Sequence, residues 1–256
     1  MKHQVSFCYR RCPAVMLARD LVREGRLGRI YHVRASYLQS WLCDPRTPMR
    51  WRLRKEVTGS GAHGDLNAHL IDLARHITGD EIAEVCAAAE TFTPQRPAAP
   101  GSGEMHDVTV DDALTFLARF EGGAMATFEA TRCAQGHGND CRIEIDGEAG
   151  SAAFAFERMN ELEYYDATRP AAVQGWTTVS ATRPGTHAYA GHYWPRGHVI
   201  GYEHQFISQA ADLVEAIVDD KPAWPDFADG LRCQEVLDAA LASVESRGWV
   251  TVTHHR

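Results

Sequence analysis

The sequence predicts an α+β fold, in which a large, mostly antiparallel β-sheet carries helices on one face. Six segments rich in β-branched, aromatic or small apolar residues follow one another between residues 82 and 166, with turn residues but no helical pattern between them. Consecutive strands without crossover helices pair antiparallel. Helical patterns precede this block and close the chain, and they supply the layer that covers the sheet.

The first part of the chain mixes strands and helices. The segment QVSFCY reads as a short strand, and PAVMLARDLVREG repeats its apolar residues at helical spacing until Gly25. RIYHVRASYL has the aromatic and β-branched content of a strand. After a loop with Trp and Pro, we expect a helix from about Asp65 to Ile77, which Gly79 ends.

The second part supplies most of the sheet. Its six predicted strands are IAEVCAAAETF, DALTFLARF, AMATFEATRC, CRIEIDG, SAAFAFE and ELEYYD, with EGG and DGEAG as hairpin-like turns. The Pro- and Gly-rich stretch TPQRPAAPGSGEMHD predicts a mobile surface loop. Two helices follow, in YEHQFISQAADLVEAIVDD and ADGLRCQEVLDAALASVESRG, and then a short strand, WVTVT.

Composition narrows the class of protein. The 256 residues are 45% hydrophobic and 23% charged, as in ordinary globular proteins, and the net charge of −8 disfavours nucleic acid as the main partner. The start of the chain has no apolar stretch typical of a secretion signal, and no run of about 18 apolar residues predicts a membrane span. The seven cysteines form no CxxC pair, which favours a reducing cytoplasm over a disulfide framework.

The stretch GSGAHGDLNAHLID, residues 59 to 72, has the strongest chemical pattern. On a helix, Asp65, His69, Asp72 and His76 are spaced i, i+4, i+7 and i+11 along one face. An imidazole one turn from a carboxylate suits proton transfer near neutral pH. The glycines before the helix permit close approach of a ligand, and a helix N-terminus favours an anionic or hydroxyl-rich group.

Two other interpretations of this stretch stay open from spacing alone. Asp65 could cap the helix, with Asp72 a surface charge and His69 a hydrogen-bonded core residue. A metal ion would need three or four ligands, which His63, Asp65, His69 and Asp72 could supply, although no HExxH spacing is present.

Two further clusters are candidate binding sites. The segment HAYAGHYWPRGHVIGYEHQF interleaves four histidines with aromatic residues, which suits either a polar ligand pocket or a surface loop. Trp51 and Arg52 with Lys55 could form a platform for a sugar ring with two cations beside it, or could be a core Trp with surface charges. Neither GxxxxGK[ST] nor GxSxG occurs in the chain. The GxGxxG spacing occurs once, at residues 59–64, but it does not directly follow a predicted strand as it does in a dinucleotide fingerprint.

Taken together, these segments resemble the C-terminal portion of the Gfo/Idh/MocA family of NAD(P)-dependent sugar and polyol oxidoreductases. The resemblance covers nearly the whole chain, and GSGAHGDLNAHLID, which matches a glycine-rich run followed by Asp-x-x-x-His-x-x-Asp, carries it most specifically. It implies that His69 is the general acid/base at the reacting hydroxyl of a sugar, inositol or related polyol, with Asp65 in support. It also implies that substrate contacts lie at nine further residues, namely Tyr9, Arg10, Trp51, Arg52, Lys55, Asp72, His192, Tyr193 and His198.

The family resemblance also sets expectations for domains and partners. Members of the family join an N-terminal Rossmann domain, which carries a lysine in a Glu-Lys-Pro motif, to this α+β domain. The open sheet of the α+β domain often forms the interface of a homo-oligomer. Neither that motif nor a dinucleotide fingerprint occurs here. Residues 1–27 resemble the last strand and helix of a Rossmann domain, and residues 28–256 the substrate-binding and oligomerisation domain. We therefore expect one of three cases for this chain. It is a shortened gene product, or it works with a separate nucleotide-binding chain, or it is a stand-alone domain with another role.

The sequence-based hypothesis is the substrate-binding part of a cytoplasmic NAD- or NADP-dependent dehydrogenase. By itself this part is expected to bind dinucleotides weakly and to be inactive. The alternatives are a non-catalytic ligand-binding or assembly module of the same fold, and a metal-dependent hydrolase, lyase or isomerase that uses His69 with Asp65 and Asp72.

Overall fold

The computed structural model describes residues 1–195 and 197–255. The strands in this part of the chain are β1 (Ile30–Leu38), β2 (Ile82–Glu90), β3 (Gln95–Pro97), β4 (Met105–Asp107), β5 (Ala113–Phe120), β6 (Met125–Thr131), β7 (Asp140–Gly147), β8 (Gly150–Ala155), β9 (Glu161–Asp166), β10 (Thr177–Ser180) and β11 (Val250–Thr251). The helices are α1 (Pro13–Arg23), α2 (Lys55–Thr58), α3 (Ala68–Thr78), α4 (Tyr202–Val218) and α5 (Phe227–Ser246).

Nine of the strands form one sheet, in the order β10-β9-β8-β7-β1-β6-β5-β2-β11. Neighbouring strands pair antiparallel, apart from β1 and β6, which run parallel with His32 opposite Met125 and Leu38 opposite Thr131. The predicted α+β class with a mostly antiparallel sheet is confirmed. The parallel pair was not predicted, because β1 is inserted between two strands that follow it by about 90 residues or more.

Helices cover one face of the sheet. Val33, Ala35 and Tyr37 of β1 point into the core, while Arg34 between them is exposed, the period-2 alternation of a sheet covered on one side. Helices α1, α3 and α5 pack on the covered face, and α4 lies against residues 8–11. The predicted arrangement of helices on one face is confirmed.

The first residues differ from the strand predicted at QVSFCY. Residues 4–7 lie in no strand of the sheet, and Cys8–Arg11 form a turn of 3-10 helix that runs into α1. Pro13 begins α1, where a missing N–H is tolerated, and the apolar face of this helix packs on α3, β8 and β9. The predicted division into residues 1–27 and 28–256 stays a prediction, and side chains from both parts share one hydrophobic core.

The Pro- and Gly-rich stretch is more ordered than the predicted surface loop. It contains β3 and β4, which pair with each other. The guanidinium of Arg96 is buried here and donates hydrogen bonds to the carbonyls of Leu42 (2.8 Å) and Asp44 (2.9 Å). An internal arginine that satisfies backbone carbonyls fixes this hairpin to the body of the protein. No helix in the described residues is long and apolar enough to span a membrane.

Candidate active site

A glycine-rich turn leads into the helix with the Asp-His pattern. The carboxylate of Asp111, just before β5, accepts hydrogen bonds from the backbone N–H of Gly61 (2.6 Å) and His63 (2.8 Å). Asp111 thereby caps the free donors at the start of the helix. Gly61 has no room for a side chain, since a Cβ there would lie 1.9 Å from the carbonyl oxygen of Asp111.

The helix opens with a π-helical turn, His63–Asn67, and continues as α3. Buried His63 makes a hydrogen bond through Nε2 with the carbonyl of Leu237 (3.0 Å), and its Nδ1 lies 3.1 Å from the amide of Asn67. The sequence predicted a regular helix from about Asp65, and the structure corrects this to a π-turn that starts at His63. Such turns are rare and occur frequently at functional sites.

His69 lies on the first turn of α3 in a largely aromatic environment. Its ring is 4.9 Å from the ring of Tyr9 and 6.2 Å from that of Phe7, and Tyr37 of β1 lies 6.3 Å away. Nδ1 is buried and has no hydrogen-bond partner among the described residues, which leaves Nε2 as the nitrogen available to a ligand. Burial lowers the pKa of His69 to about 4, and the negative charge of Asp65 acts in the opposite direction. The imidazole is therefore neutral at pH 7.

A chain of hydrogen-bonding side chains starts beside His69. The hydroxyls of Tyr9 and Tyr37 are 2.5 Å apart, and the Tyr37 hydroxyl donates to Asn139 Oδ1 at 2.6 Å. Gln39 donates to the same oxygen (2.9 Å), and Trp41 Nε1 donates to Gln39 Oε1 (2.8 Å). Burial raises the pKa of both tyrosines, so their hydroxyls stay protonated. Linked donors and acceptors of this kind can bind the hydroxyl groups of a carbohydrate.

Asp65 projects from the π-turn and is only partly buried. Its Oδ2 accepts a hydrogen bond of 2.6 Å from Nη2 of Arg132, the residue that follows β6. The Asp65 side chain is 46% exposed, whereas that of Arg132 is 2% exposed. One carboxylate oxygen is therefore held from inside the protein, and the other can face a ligand.

A cleft of about 340 Å³ opens beside Asp65. Trp51 and Arg52 line one side of it with the glycine turn, while Arg132 and residues of α5 line the rest. Trp51 is 55% exposed, and the guanidinium of Arg52 stacks 4.2 Å from the centre of its ring. An exposed aromatic face next to cations and a carboxylate suits a polar ring-shaped ligand.

Arg10 and Asp72 lie elsewhere, in the protein interior. The Arg10 guanidinium donates to both oxygens of Asp72 at 2.5 to 2.9 Å and also to Asp229 at 2.9 Å. Both partner side chains of the Arg10–Asp72 pair are at most 2% exposed. The pair joins the segment before α1 to α3 and to the start of α5, and we assign it a structural role in this arrangement.

The remaining predicted substrate residues do not meet His69. His192 and Tyr193 line a separate cavity of about 590 Å³ between α1 and α4. His198 lies in an exposed loop, where its Nδ1 is 2.7 Å from the carbonyl of Pro195. Lys55 is exposed at the start of α2, and its backbone N–H donates to Thr109 Oγ1. The roles predicted for these residues stay predictions.

The structure does not favour the capping interpretation of the Asp-His motif. Asp111, from outside the helix, caps the first turn, Asp72 is buried rather than a surface charge, and Nδ1 of His69 is not hydrogen-bonded. For a metal ion, the described residues contain no group of three or more His, Cys, Asp or Glu side chains placed to bind one.

The described residues also lack a cradle for a dinucleotide. The sheet is mostly antiparallel, whereas dinucleotide cradles follow parallel strands. The glycine turn at residues 59–64 superficially resembles a phosphate loop, but its N–H donors at Gly61 and His63 are used by Asp111. These residues would not hold the pyrophosphate of NAD(P).

Sequence reasoning missed several residues around this site. Arg132 stands in the segment EATRC and reaches Asp65 only because β6 ends beside the π-turn. Tyr37 and Asn139 become neighbours through the β1–β7 pairing, which joins residues about 100 positions apart. A signal available in the sequence was the alternation in β1, which places Tyr37 on the same face as Val33 and Ala35.

Comparison with known proteins agrees with this architecture. A model of the family described as "GFO/IDH/MocA C-terminal domain" matches residues 15–153. The levoglucosan dehydrogenase of Pseudarthrobacter phenanthrenivorans is 39% identical over 98% of this chain and 66% of its own length. An oxidoreductase domain protein from Kribbella flavida, of known structure, is 50% identical with a TM-score of 0.94, over 99% of this chain and 66% of its own. A levoglucosan dehydrogenase in complex with NADH and L-sorbose is 40% identical with a TM-score of 0.95, over 100% of this chain and 67% of its own. The chain thus spans about two thirds of the length of these relatives.

Proposed function

Because the chain belongs to the Gfo/Idh/MocA family, we propose that it forms the substrate-binding part of an NAD- or NADP-dependent dehydrogenase. The proposed substrate is a sugar, an inositol or a related polyol. Similar proteins are described as levoglucosan dehydrogenase and inositol 2-dehydrogenase, and one solved relative holds NADH and levoglucosan. These relatives support sugars and polyols as the class of substrate.

The observation that carries the proposal is the placement of His69 and Asp65. Asp65 lines the cleft. His69 lies one helical turn further along, against the ring of Tyr9, whose hydroxyl begins a chain of hydroxyl and amide groups. His69 is neutral at pH 7, since burial lowers its pKa to about 4, and a neutral imidazole can accept a proton.

The proposed chemistry of this chain is the proton-transfer half of an alcohol oxidation. Nε2 of His69 takes the hydroxyl proton of the substrate, and the carboxylate of Asp65 stabilises the imidazolium that forms. In the reverse direction the same nitrogen returns the proton to the carbonyl oxygen. The aromatic residues around His69 exclude water from this transfer. The nicotinamide cofactor is bound by a domain outside the residues described here, in the same chain or in a separate one.

A chimera tests this proposal directly. The chain is fused to the third of the Pseudarthrobacter levoglucosan dehydrogenase that it does not span, and NADH formation is measured with levoglucosan, myo-inositol and simple alcohols. We expect turnover with at least one cyclic polyol and little with simple alcohols. We expect the 256-residue chain alone to show weak dinucleotide binding and no turnover.

The chimera also separates the rival interpretations. A chimera that binds NADH and polyols but never transfers hydride would contradict the dehydrogenase and favour a non-catalytic binding module. Turnover that a chelator abolishes would favour the metal-dependent alternative.

Two further parts of the proposal concern assembly and location. We propose a homo-oligomer formed through the uncovered face of the sheet, where Leu117 and Met125 are 44% and 47% exposed. We also propose a cytoplasmic location, which is supported by seven cysteines that are all free thiols.

A further inference from the structure

Arg132 is a buried cation with a single hydrogen-bonded acceptor for its guanidinium. Its side chain is 2% exposed, and Nη2 donates to Asp65 Oδ2 at 2.6 Å. Nε and Nη1 are buried without a hydrogen-bond partner in residues 1–195 and 197–255. The guanidinium instead lies 5.3 Å from the centre of the Trp41 ring, where a cation–π interaction compensates part of the lost hydration. Asp65 is therefore the anion that balances this buried charge.

Backbone hydrogen bonds to the residue before β5 and to the loop after β1 hold Arg132 in place. Its N–H donates to the carbonyl of Asp112 at 3.0 Å, and its own carbonyl accepts from the N–H of Leu42 at 3.0 Å. Trp41 is fixed in turn by the hydrogen bond of its indole to Gln39. The backbone of Arg132 and the Trp41 ring beside its guanidinium are thus held by segments outside the helix that carries Asp65.

This arrangement constrains Asp65 from outside its own helix. A partly exposed aspartate on a π-turn has several rotamers available, and a buried arginine that binds one oxygen selects one of them. The other oxygen takes no part in this bond, and Asp65 and Arg132 both line the cleft.

We infer that Arg132 is a positioning residue of the proposed proton-transfer centre, which acts by holding Asp65 in one orientation and by balancing its charge beside His69. The inference rests on the proposed function, because Asp65 matters for chemistry only if His69 transfers a proton. It assigns to the end of β6 a role in the active site that is separate from packing.

The titration of His69 tests this inference in the chain as it exists. The imidazole is followed by NMR from pH 8 to pH 3 in the wild type and in Arg132→Met, Arg132→Lys and Asp65→Asn. Loss of the guanidinium leaves the Asp65 charge uncompensated, so we expect Arg132→Met to raise the pKa of His69 by roughly one unit. Arg132→Lys keeps the positive charge and should leave the titration near that of the wild type. Asp65→Asn should lower the pKa.

The double variant Arg132→Met/Asp65→Asn shows whether Arg132 acts through Asp65. We expect the pKa of His69 in the double variant to equal its pKa in Asp65→Asn. A direct effect of Arg132 on His69 would instead give the double variant a higher pKa of His69. Arg119→Met, which removes an exposed arginine paired with Glu84 on the open sheet face, is the matched control. The inference is wrong if the pKa of His69 is the same in Arg132→Met as in this control. It is also wrong if the pKa of His69 is higher in the double variant than in Asp65→Asn. If Arg132→Met does not fold, Arg132→Gln replaces it.

Kinetics of the chimera give a second readout. Arg132→Met should lower kcat at least tenfold with a smaller change in KM, and Arg132→Lys should recover part of kcat. If His69→Ala abolishes turnover while Arg132→Met does not lower kcat, the inference fails and the proposed function stands. If His69→Ala leaves turnover intact, the proposed function itself fails.

Discussion

Asp65 and Asp72 belong to one sequence motif but lie in opposite environments. Asp65 is half exposed and bound by Arg132 at one oxygen, whereas Asp72 is fully buried and bound by Arg10 at both. Burial raises the pKa of Asp72 to about 6, against the opposing effect of the Arg10 charge. Two carboxylates seven residues apart thus occupy different places. Asp65 lines the cleft, whereas Asp72 belongs to a buried ion pair.

Buried neutral histidines are a second feature at the residue scale. Burial lowers the pKa of four of them, His63, His69, His76 and His187. An unfolded histidine titrates near pH 6.5, so below that pH the unfolded chain binds more protons than the native one. Their contribution to stability is complete above about pH 6.5 and is lost as the pH falls towards the native values, which for His69 is about 4.

We therefore predict that the free energy of unfolding falls between pH 7 and pH 5. A histidine that stays neutral in the native state costs up to about 2 kcal/mol over this interval. Asp72, with its raised pKa, offsets part of the loss, because the native state gains its proton first as the pH falls below 6. Urea unfolding at the two pH values measures the difference.

Single variants isolate the histidine contribution. His76 is 5% exposed and neither of its ring nitrogens has a hydrogen-bond partner in the described structure. His76→Phe should therefore reduce the fall in the free energy of unfolding between pH 7 and pH 5. His32→Gln, which removes an exposed histidine from the open face of the sheet, is the control variant. An equal pH effect in the wild type and His76→Phe would contradict this explanation.

At the scale of elements, the glycine turn and the π-turn set the site. Asp111 binds two N–H groups of the turn, and the π-turn then carries Asp65 towards Arg132 and the cleft. The close fit of Gly61 against the backbone of Asp111 makes the start of the helix intolerant of a side chain.

We predict that Gly61→Ala destabilises the protein by about 1–3 kcal/mol, the usual cost of overpacking, and weakens polyol binding to the chimera. The added Cβ would meet the Asp111 carbonyl at 1.9 Å, so the turn must move. Gly103→Ala is the control, since a Cβ there meets nothing within 4 Å. Urea unfolding and the KM for the polyol measure both effects. Equal stability of the two variants would show that the turn adapts freely.

At the scale of the whole molecule, the sequence predicted more of the fold than of the site. Alternating strands, hairpin turns and the closing helices could be predicted because each depends on local pattern. The parallel pairing of β1 with β6 and the anchoring of the β3–β4 hairpin by buried Arg96 could not, because they depend on contacts between distant segments.

The same distinction holds for the candidate site. His69 and Asp65 are neighbours on one helix, so spacing was enough to single them out. Arg132, Tyr37 and Asn139 join them only through the folded sheet, and no spacing rule brings such residues together. Arg10, in contrast, was predicted as a substrate contact because of its position in the family pattern, while the structure pairs it with Asp72 in the interior.

The architecture as a whole supports separate sites for the substrate and for the cofactor. One face of the sheet carries the helices and the proposed proton-transfer residues, and the other face is uncovered. The described residues hold a polyol-sized cleft but no dinucleotide cradle. We therefore propose that this chain binds the substrate and transfers its proton, and that hydride transfer uses a cofactor bound elsewhere.

Turnover of the chimera with His69→Ala is the most direct test of whether His69 transfers the substrate proton. General acid–base catalysis typically contributes 10²–10⁴-fold, so we predict that kcat for the polyol falls by about 100-fold or more, while NADH affinity and the free energy of unfolding stay close to the unsubstituted chimera. A His69→Ala chimera with undiminished kcat would contradict proton transfer by His69.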